Sequence, residues 1–164
     1  PQNLGMTALG RFRAGPSTAQ AVIEAIDATG IDVRGKEAVI VGRSQIVGKP
    51  VALMLIERRV TVTVCHTATR DLPGHVRRAE ILVAAAGRPE VITGDMIREG
   101  AVVIDVGINR VTRPDGTRRT VGDVEFEAAM ARAGWITPVP GGVGPVTVAV
   151  LLRSAVSAAL AADR

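Results

Sequence analysis

Tyrosine is absent from this 164-residue chain, Phe occurs twice and Trp once. So few rings leave no stacking platform for bases, which argues against single-stranded nucleic-acid binding. No run of five like charges offers a nucleic-acid-binding tail either. Cysteine occurs once, at Cys65, which excludes an internal disulfide and any Cys-based zinc cluster and fits a reducing cytoplasm. Two histidines without an acidic cluster give no reason to expect a metal. No apolar run reaches the roughly 18 residues that cross a bilayer, so no membrane partner is expected. Pro1-Gln2-Asn3 lacks a basic n-region, so no signal peptide is expected.

What is present is aliphatic. Hydrophobic residues make up 47% of the chain, and the net charge of +4 rests on arginine, with Lys36 and Lys49 the only lysines. Length and composition fit one domain with a real core. Residues 1–15 show no clear period. Pro16-Ser17-Thr18 opens a helix with Val22, Ile23 and Ile26 on one face, ended by Gly30. Short apolar strands are expected at 37–41, 61–65, 81–86, 101–106 and 136–139. Helices are expected over 47–58, near 74–79, over 124–133 with Asp123 as cap, and over 145–161, with a helical turn at 93–95. Arg113-Pro114-Asp115-Gly116 marks a turn, so 110–122 reads as a hairpin or surface excursion. Alternating apolar strands and helices, with no linker between them, predict a single α/β domain: a Rossmann-type, doubly wound, mainly parallel sheet with helices on both faces.

Two loops carry chemistry. Gly42-Arg43-Ser44-Gln45-Ile46-Val47-Gly48-Lys49-Pro50 joins a strand to a helix, where a dinucleotide pyrophosphate meets helix N–H groups. Gly42 permits the tight strand exit and Gly48 a close approach of backbone to phosphate. The spacing is Gly-x5-Gly, so the general dinucleotide fingerprint fails, and an ordinary βα loop stays open as the alternative. The second strand runs into Cys65-His66-Thr67-Ala68-Thr69 with no carboxylate before Asp71. A ribose 2′-OH wants that carboxylate, whereas Arg43 with the Thr67 and Thr69 hydroxyls suits a 2′-phosphate, favouring NADP over NAD. A solvated Arg43 and locally bonded turn hydroxyls are the alternatives. His66 reads as a neutral imidazole bonded to backbone rather than a general base. Asp105 reads as a carboxylate bonded to nearby backbone N–H groups, and Ile108, past Gly107, could cover one face of a nicotinamide. The second loop, from Pro138 through Pro140, Gly141, Gly142, Val143 and Gly144 to Thr147, could hold a planar polar substrate through main-chain bonds or could simply angle the last helix.

These strings lie in order: Gly35-Lys36, Gly42-Arg43-Ser44-x-x-Val47-Gly48-x-Pro50, Cys65-His66-Thr67-x-Thr69, Asp105-Val106-Gly107-Ile108-Asn109, Val121-Gly122-Asp123-Val124 and Pro140-Gly141-Gly142-Val143-Gly144-Pro145-x-Thr147. Together they resemble the methylenetetrahydrofolate dehydrogenase/cyclohydrolase family (the FolD type) over nearly the whole chain. The resemblance implies an NADP-binding domain in which Gly42, Arg43, Ser44 and Thr67 hold the phosphates, with Val47 and Gly48 in the same cofactor loop. It implies that Ile108 contacts the nicotinamide end and that Pro140, Gly141, Gly142, Val143 and Gly144 border a folate. The implied reaction passes hydride from 5,10-methylenetetrahydrofolate to the nicotinamide, and water then opens the methenyl cation to 10-formyltetrahydrofolate.

In that family a lysine following a tyrosine, in a preceding folate-gripping domain, serves the proton step. Neither Lys36 nor Lys49 stands in that motif, so no catalytic residue carries over. The chain, residues 1–164, is expected to be the NADP-binding domain alone, without the folate-gripping domain. The family's Pro-Cys-Thr-Pro-x-Gly stretch reads Pro16-Ser17-Thr18-Ala19-Gln20-Ala21 here, which keeps Thr18. The rival expectations are a non-catalytic nucleotide-binding or interaction module, or a dehydrogenase for another one-carbon carrier. The last helix is apolar around much of its circumference, so homo-oligomerisation, a dimer first, is expected.

Overall fold

The computed structural model describes residues 2–10, 15–112 and 116–162. Five strands form one parallel sheet: β1 (Glu37–Val41), β2 (Thr61–Cys65), β3 (Ile81–Ala84), β4 (Val102–Asp105) and β7 (Trp135–Ile136). Their order is β2-β1-β3-β4-β7. The register sets Val41 beside Cys65 on one side and Ala84 on the other, so these strands end level with one another. β5 (Asn109–Thr112) and β6 (Arg118–Val121) form a separate antiparallel hairpin beyond the end of β4. The turn expected at Arg113-Pro114-Asp115-Gly116 lies, Gly116 apart, outside the described residues.

Strand alternation divides the core. Ala38 and Ile40, Ile81 and Val83, and Val102 and Ile104 face one layer, packed under α2 (Ser17–Asp27), α3 (Gly48–Glu57) and α6 (Val143–Ala162). Val39, Val41, Leu82, Ala84 and Val103 face the other, under α4 (Leu72–Arg78), α5 (Phe126–Met130) and a 3-10 turn at Gly94–Met96. Strands buried on both faces read as continuous apolar runs, and the helices cover both sides as the doubly wound reading requires. β2 is the edge strand, and the chain crosses from it back over β1 to begin β3. The carboxyl ends of β1 and β3 are therefore the switch point, where such sheets bind ligands.

Three expectations need correction. The aperiodic opening contains a helix, α1 (Gln2–Ala8). The helix expected over 124–133 shrinks to α5, and Asp123 does not cap it; its carboxylate turns instead to the loop after β3. Third, α6 contains an 18-residue stretch, Val143–Leu160, of mean hydropathy 1.7, long and apolar enough by length and composition to cross a membrane. Its one charge, Arg153, breaks the run to the eye without cancelling it. In the fold Arg153 reaches Glu24 of α2 at 2.7 Å, and Val143 and Val150 are buried in the domain core, yet only 11% of the stretch is buried.

Candidate functional site

Two cavities open side by side over the carboxyl ends of the strands. The smaller, about 370 Å³, lies at the switch point between the Gly42-Arg43-Ser44 loop after β1, His66 and Thr67 after β2, and Ala85, Ala86 and Arg88 after β3. The larger, about 610 Å³, lies over β4, between Ile46, Val47 and Ile108 on one side and residues 138–145 on the other, with Thr18 and Thr120 at its margins.

The first cavity is built by close backbone packing. Gly42 has φ +125°, and a Cβ there would meet the Ala85 carbonyl oxygen at 2.0 Å. A Cβ at Gly48 would meet the Gly42 carbonyl oxygen at the same distance. Gly48 lines neither cavity, so its smallness serves the folding of the loop onto its own strand exit rather than approach to a ligand. Ser44 Oγ accepts the N–H of Val47 at 3.1 Å and of Gly48 at 3.4 Å, tying the loop to the first turn of α3. Both roles as acceptor leave the hydroxyl proton free to donate.

The residues after β2 divide. The Thr69 hydroxyl accepts the His66 N–H at 2.8 Å and is used locally, while among the described residues Thr67 has no side-chain partner. His66 Nδ1 accepts the Ala68 N–H at 3.2 Å, which requires Nδ1 unprotonated and places the proton of a neutral ring on Nε2. Asp71, the first carboxylate after β2, accepts the Gly74 N–H at 3.0 Å and caps α4, so it is not directed at the cavity. The exposed Arg43 guanidinium has no ion pair among the described residues.

Behind both cavities lies a buried pair of carboxylates. Asp105 Oδ1 accepts the N–H of Gly107 at 2.9 Å and of Asp123 at 3.0 Å, and Oδ2 accepts that of Val124 at 2.9 Å. Asp123 in turn accepts the N–H of Ala86, Gly87 and Arg88, at 2.6, 2.9 and 3.0 Å, and the Asn109 amide at 2.8 Å. The pair thereby clamps the hairpin, the end of β4 and the loop after β3. Two glycines make room: a Cβ at Gly107 would meet Asp123 Oδ1 at 2.2 Å, and one at Gly122 would meet Asp105 Oδ2 at 1.8 Å. Burial pushes the Asp105 carboxyl up to about 6, aided by the neighbouring Asp123 charge, against the three N–H bonds that favour its ionised form.

Ile108 stands just beyond this clamp at the lip of the larger cavity, 72% exposed, an apolar side chain held out into solvent by its own loop. Opposite it Pro140, Gly141, Gly142, Val143 and Gly144 line the cavity as far as the start of α6. Gly141 has φ +105°, and a Cβ on Gly142 would meet the Pro138 carbonyl oxygen at 2.5 Å. Val47 joins the larger cavity, not the smaller one.

A family model described as "Tetrahydrofolate dehydrogenase/cyclohydrolase, NAD(P)-binding domain" matches residues 16–163. The chain belongs to the tetrahydrofolate dehydrogenase/cyclohydrolase family. It is 58% identical over 159 residues to the bifunctional protein FolD of Moorella thermoacetica, covering 97% of this chain and 55% of that protein. The crystal structure of a bifunctional FolD from Campylobacter jejuni superposes with a TM-score of 0.89 at 45% identity, over 96% of this chain and 55% of that one. The Trypanosoma brucei FolD, solved with NADP cofactor and an inhibitor, gives a TM-score of 0.88 at 45% identity, over 94% and 54% of the two chains. The chain thus spans about half the length of the curated relatives it matches. Asp105 bonds nearby backbone N–H groups as its sequence position suggested, while Arg88, Thr120 and the part Asp123 plays beside it escaped sequence reasoning. Arg88 and Thr120 follow or end strands at the ligand edge, and that position alone was the available signal.

Proposed function

We propose that residues 1–164 form a single NADP-binding domain that supplies the cofactor half of a bifunctional 5,10-methylenetetrahydrofolate dehydrogenase and 5,10-methenyltetrahydrofolate cyclohydrolase in the cytoplasm. The observation that carries this reading is the smaller cavity at the switch point, which brings Gly42, Arg43, Ser44 and Thr67 together, with the Arg43 guanidinium and Thr67 hydroxyl unpaired among the described residues. These groups fit a phosphorylated ribose: a guanidinium forks onto phosphate oxygens, and the Ser44 and Thr67 hydroxyls donate to others. The first carboxylate after β2, which would favour an unphosphorylated ribose, is spent on capping α4. Bound there, NADP supplies the hydride acceptor.

The chain's own residues bind, orient and exclude water. Val47 and Ile108 offer apolar cover at the border of the larger cavity, where a nicotinamide would lie against the folate. Pro140, Gly141, Gly142, Val143 and Gly144 line the facing wall and take the folate. The Asp105–Asp123 clamp fixes Ile108 relative to the loop after β3, so both walls keep their spacing. No lysine stands in either cavity, and we assign the proton work of cyclohydrolysis to the part of the relatives outside the match. We also propose that α6 and α1 pair with further protein, a second copy when the chain is alone.

The test is NADPH formation from 5,10-methylenetetrahydrofolate, followed by absorbance, in the complete natural protein and in the 164 residues alone. The complete protein is expected to turn over with NADP and the 164 residues to show little or no turnover. Comparable rates in the two would mean that this chain holds the proton machinery, with His66 first in line, and would overturn the division of labour.

A further inference from the structure

The hairpin does more than close the fold. In the β5–β6 pairing Arg110 lies opposite Thr120, and Thr112 opposite Arg118. Paired residues share a face and alternate residues along a strand return to it. Arg110 and Thr112 on one strand therefore share a face with Arg118 and Thr120 on the other, and Ile108 stands just before β5. Ile108 and Thr120 line the larger cavity. The cavity wall thus continues outward along the hairpin from Thr120: Arg110 stands beside it on the partner strand, and Arg118 lies one strand repeat of about 7 Å further out. Both are exposed, and neither has a hydrogen bond or ion pair among the described residues. Arg119 lies opposite Val111 and so belongs to the other face of the same hairpin.

We propose that Arg110 and Arg118 form an outer anion subsite that takes the carboxylates of the folate's γ-linked glutamyl tail. The proposal rests on the folate reading of the larger cavity. A folate held against the 140–144 wall has one charged end, the glutamyl carboxylates, and the hairpin face offers two permanent cations at the cavity mouth. Guanidinium groups stay charged at every physiological pH and grip carboxylates in forked pairs. The phosphates of the cofactor have their own arginine, Arg43, in the other cavity. Each added glutamate brings another carboxylate along the same face, so longer tails gain contacts that a single glutamate does not reach.

The test is calorimetric titration of the complete natural protein, saturated with NADP, with tetrahydrofolate bearing one or four glutamates. Tetrahydrofolate lacks the one-carbon unit and does not turn over. The unaltered protein is expected to prefer the tetraglutamate about tenfold, the combined yield of two partly screened charged pairs. Arg119→Gln, which removes the same charge from the opposite face, should keep that preference. The double variant Arg110→Gln/Arg118→Gln should bind the two ligands within about twofold of each other, the screened surface charge being gone, and each single variant should fall between. NADP affinity, measured on the same samples, should stay unchanged and doubles as the control for folding. No tail preference in the unaltered protein, a preference retained in the double variant, or an equal loss in Arg119→Gln would overturn the subsite while leaving the cofactor and folate readings standing. A double variant that loses NADP affinity while keeping the unaltered protein's circular dichroism spectrum and urea midpoint would assign these arginines to the cofactor and overturn it too. Failure of the unaltered protein to bind either NADP or tetrahydrofolate would remove the functional reading and the subsite together.

Discussion

Asp105 is 3% exposed and sits among three backbone N–H donors, yet its carboxyl is pushed up to about 6 from the ordinary 3.8. The sign of the linkage follows from the proton count. Between about pH 4 and 6 the unfolded chain has released this proton while the folded chain still holds it, so stability falls as pH rises through that window and is level above it. Glu80 and Asp95, both held low by hydrogen bonds, oppose this slope at the acid end, where their unfolded carboxyls still take up protons, and add little between pH 5 and 7. The urea midpoint is therefore expected to be higher at pH 5 than at pH 7. Asp105→Asn should lower the midpoint overall, because its amide N–H groups face backbone donors, and should flatten the difference; an unchanged slope in that variant would place the titration elsewhere. Gly48 makes a second prediction. An alanine there meets the Gly42 carbonyl oxygen and the Arg43 Cα, both backbone atoms that cannot swing aside. Gly48→Ala should cost about 1–3 kcal/mol in urea unfolding, as overpacking does, and should weaken cofactor binding because the Arg43 loop moves with it.

At the scale of elements, β1 and β2 run over the residues expected, and β3 and β4 stop one or two residues short at each disputed end. β1, β3 and β4 are apolar and buried on both faces, and the edge strand β2 is β-branched, so local sequence and tertiary setting agree. The glycine in the loop after β1 was legible for the same reason: Gly42 stands at a strand exit at φ +125°, where geometry needs glycine, and the proposed phosphate site adds the cation Arg43 beside it. Gly48 was legible as important but not for its purpose, since only coordinates reveal that the Gly42 carbonyl fills the space its side chain would take. The helix expected over 124–133 forms only as the short α5, and its expected cap failed because an Asp before an amphipathic run looks like a cap whichever backbone it serves. Here its partners, Ala86, Gly87 and Arg88, lie more than thirty residues earlier in the chain. α1 gave no sign because its seven residues include Gly5 and Thr7, both weak helix formers.

In the whole molecule, α6 leaves Val148, Leu151, Leu152, Val156 and Leu160 exposed, and α1 leaves Met6 exposed with Leu9 just beyond it. A helix with one stripe on its own sheet needs only that stripe to be apolar, and this outer face is the one the proposed pairing with further protein would cover. The 164 residues alone are expected to self-associate with rising concentration, read by sedimentation velocity; a strict monomer at high concentration, with α6 ordered by circular dichroism, would contradict this. The central claim, that the switch-point cavity is an NADP site with Arg43 on the 2′-phosphate, is tested most directly by titration calorimetry of NADP and NAD into the protein and its Arg43→Ala variant. NADP should bind tighter than NAD, and the variant should lose about 1.5–3 kcal/mol for NADP with little change for NAD. Equal losses for the two cofactors, or no preference in the unaltered protein, would contradict it.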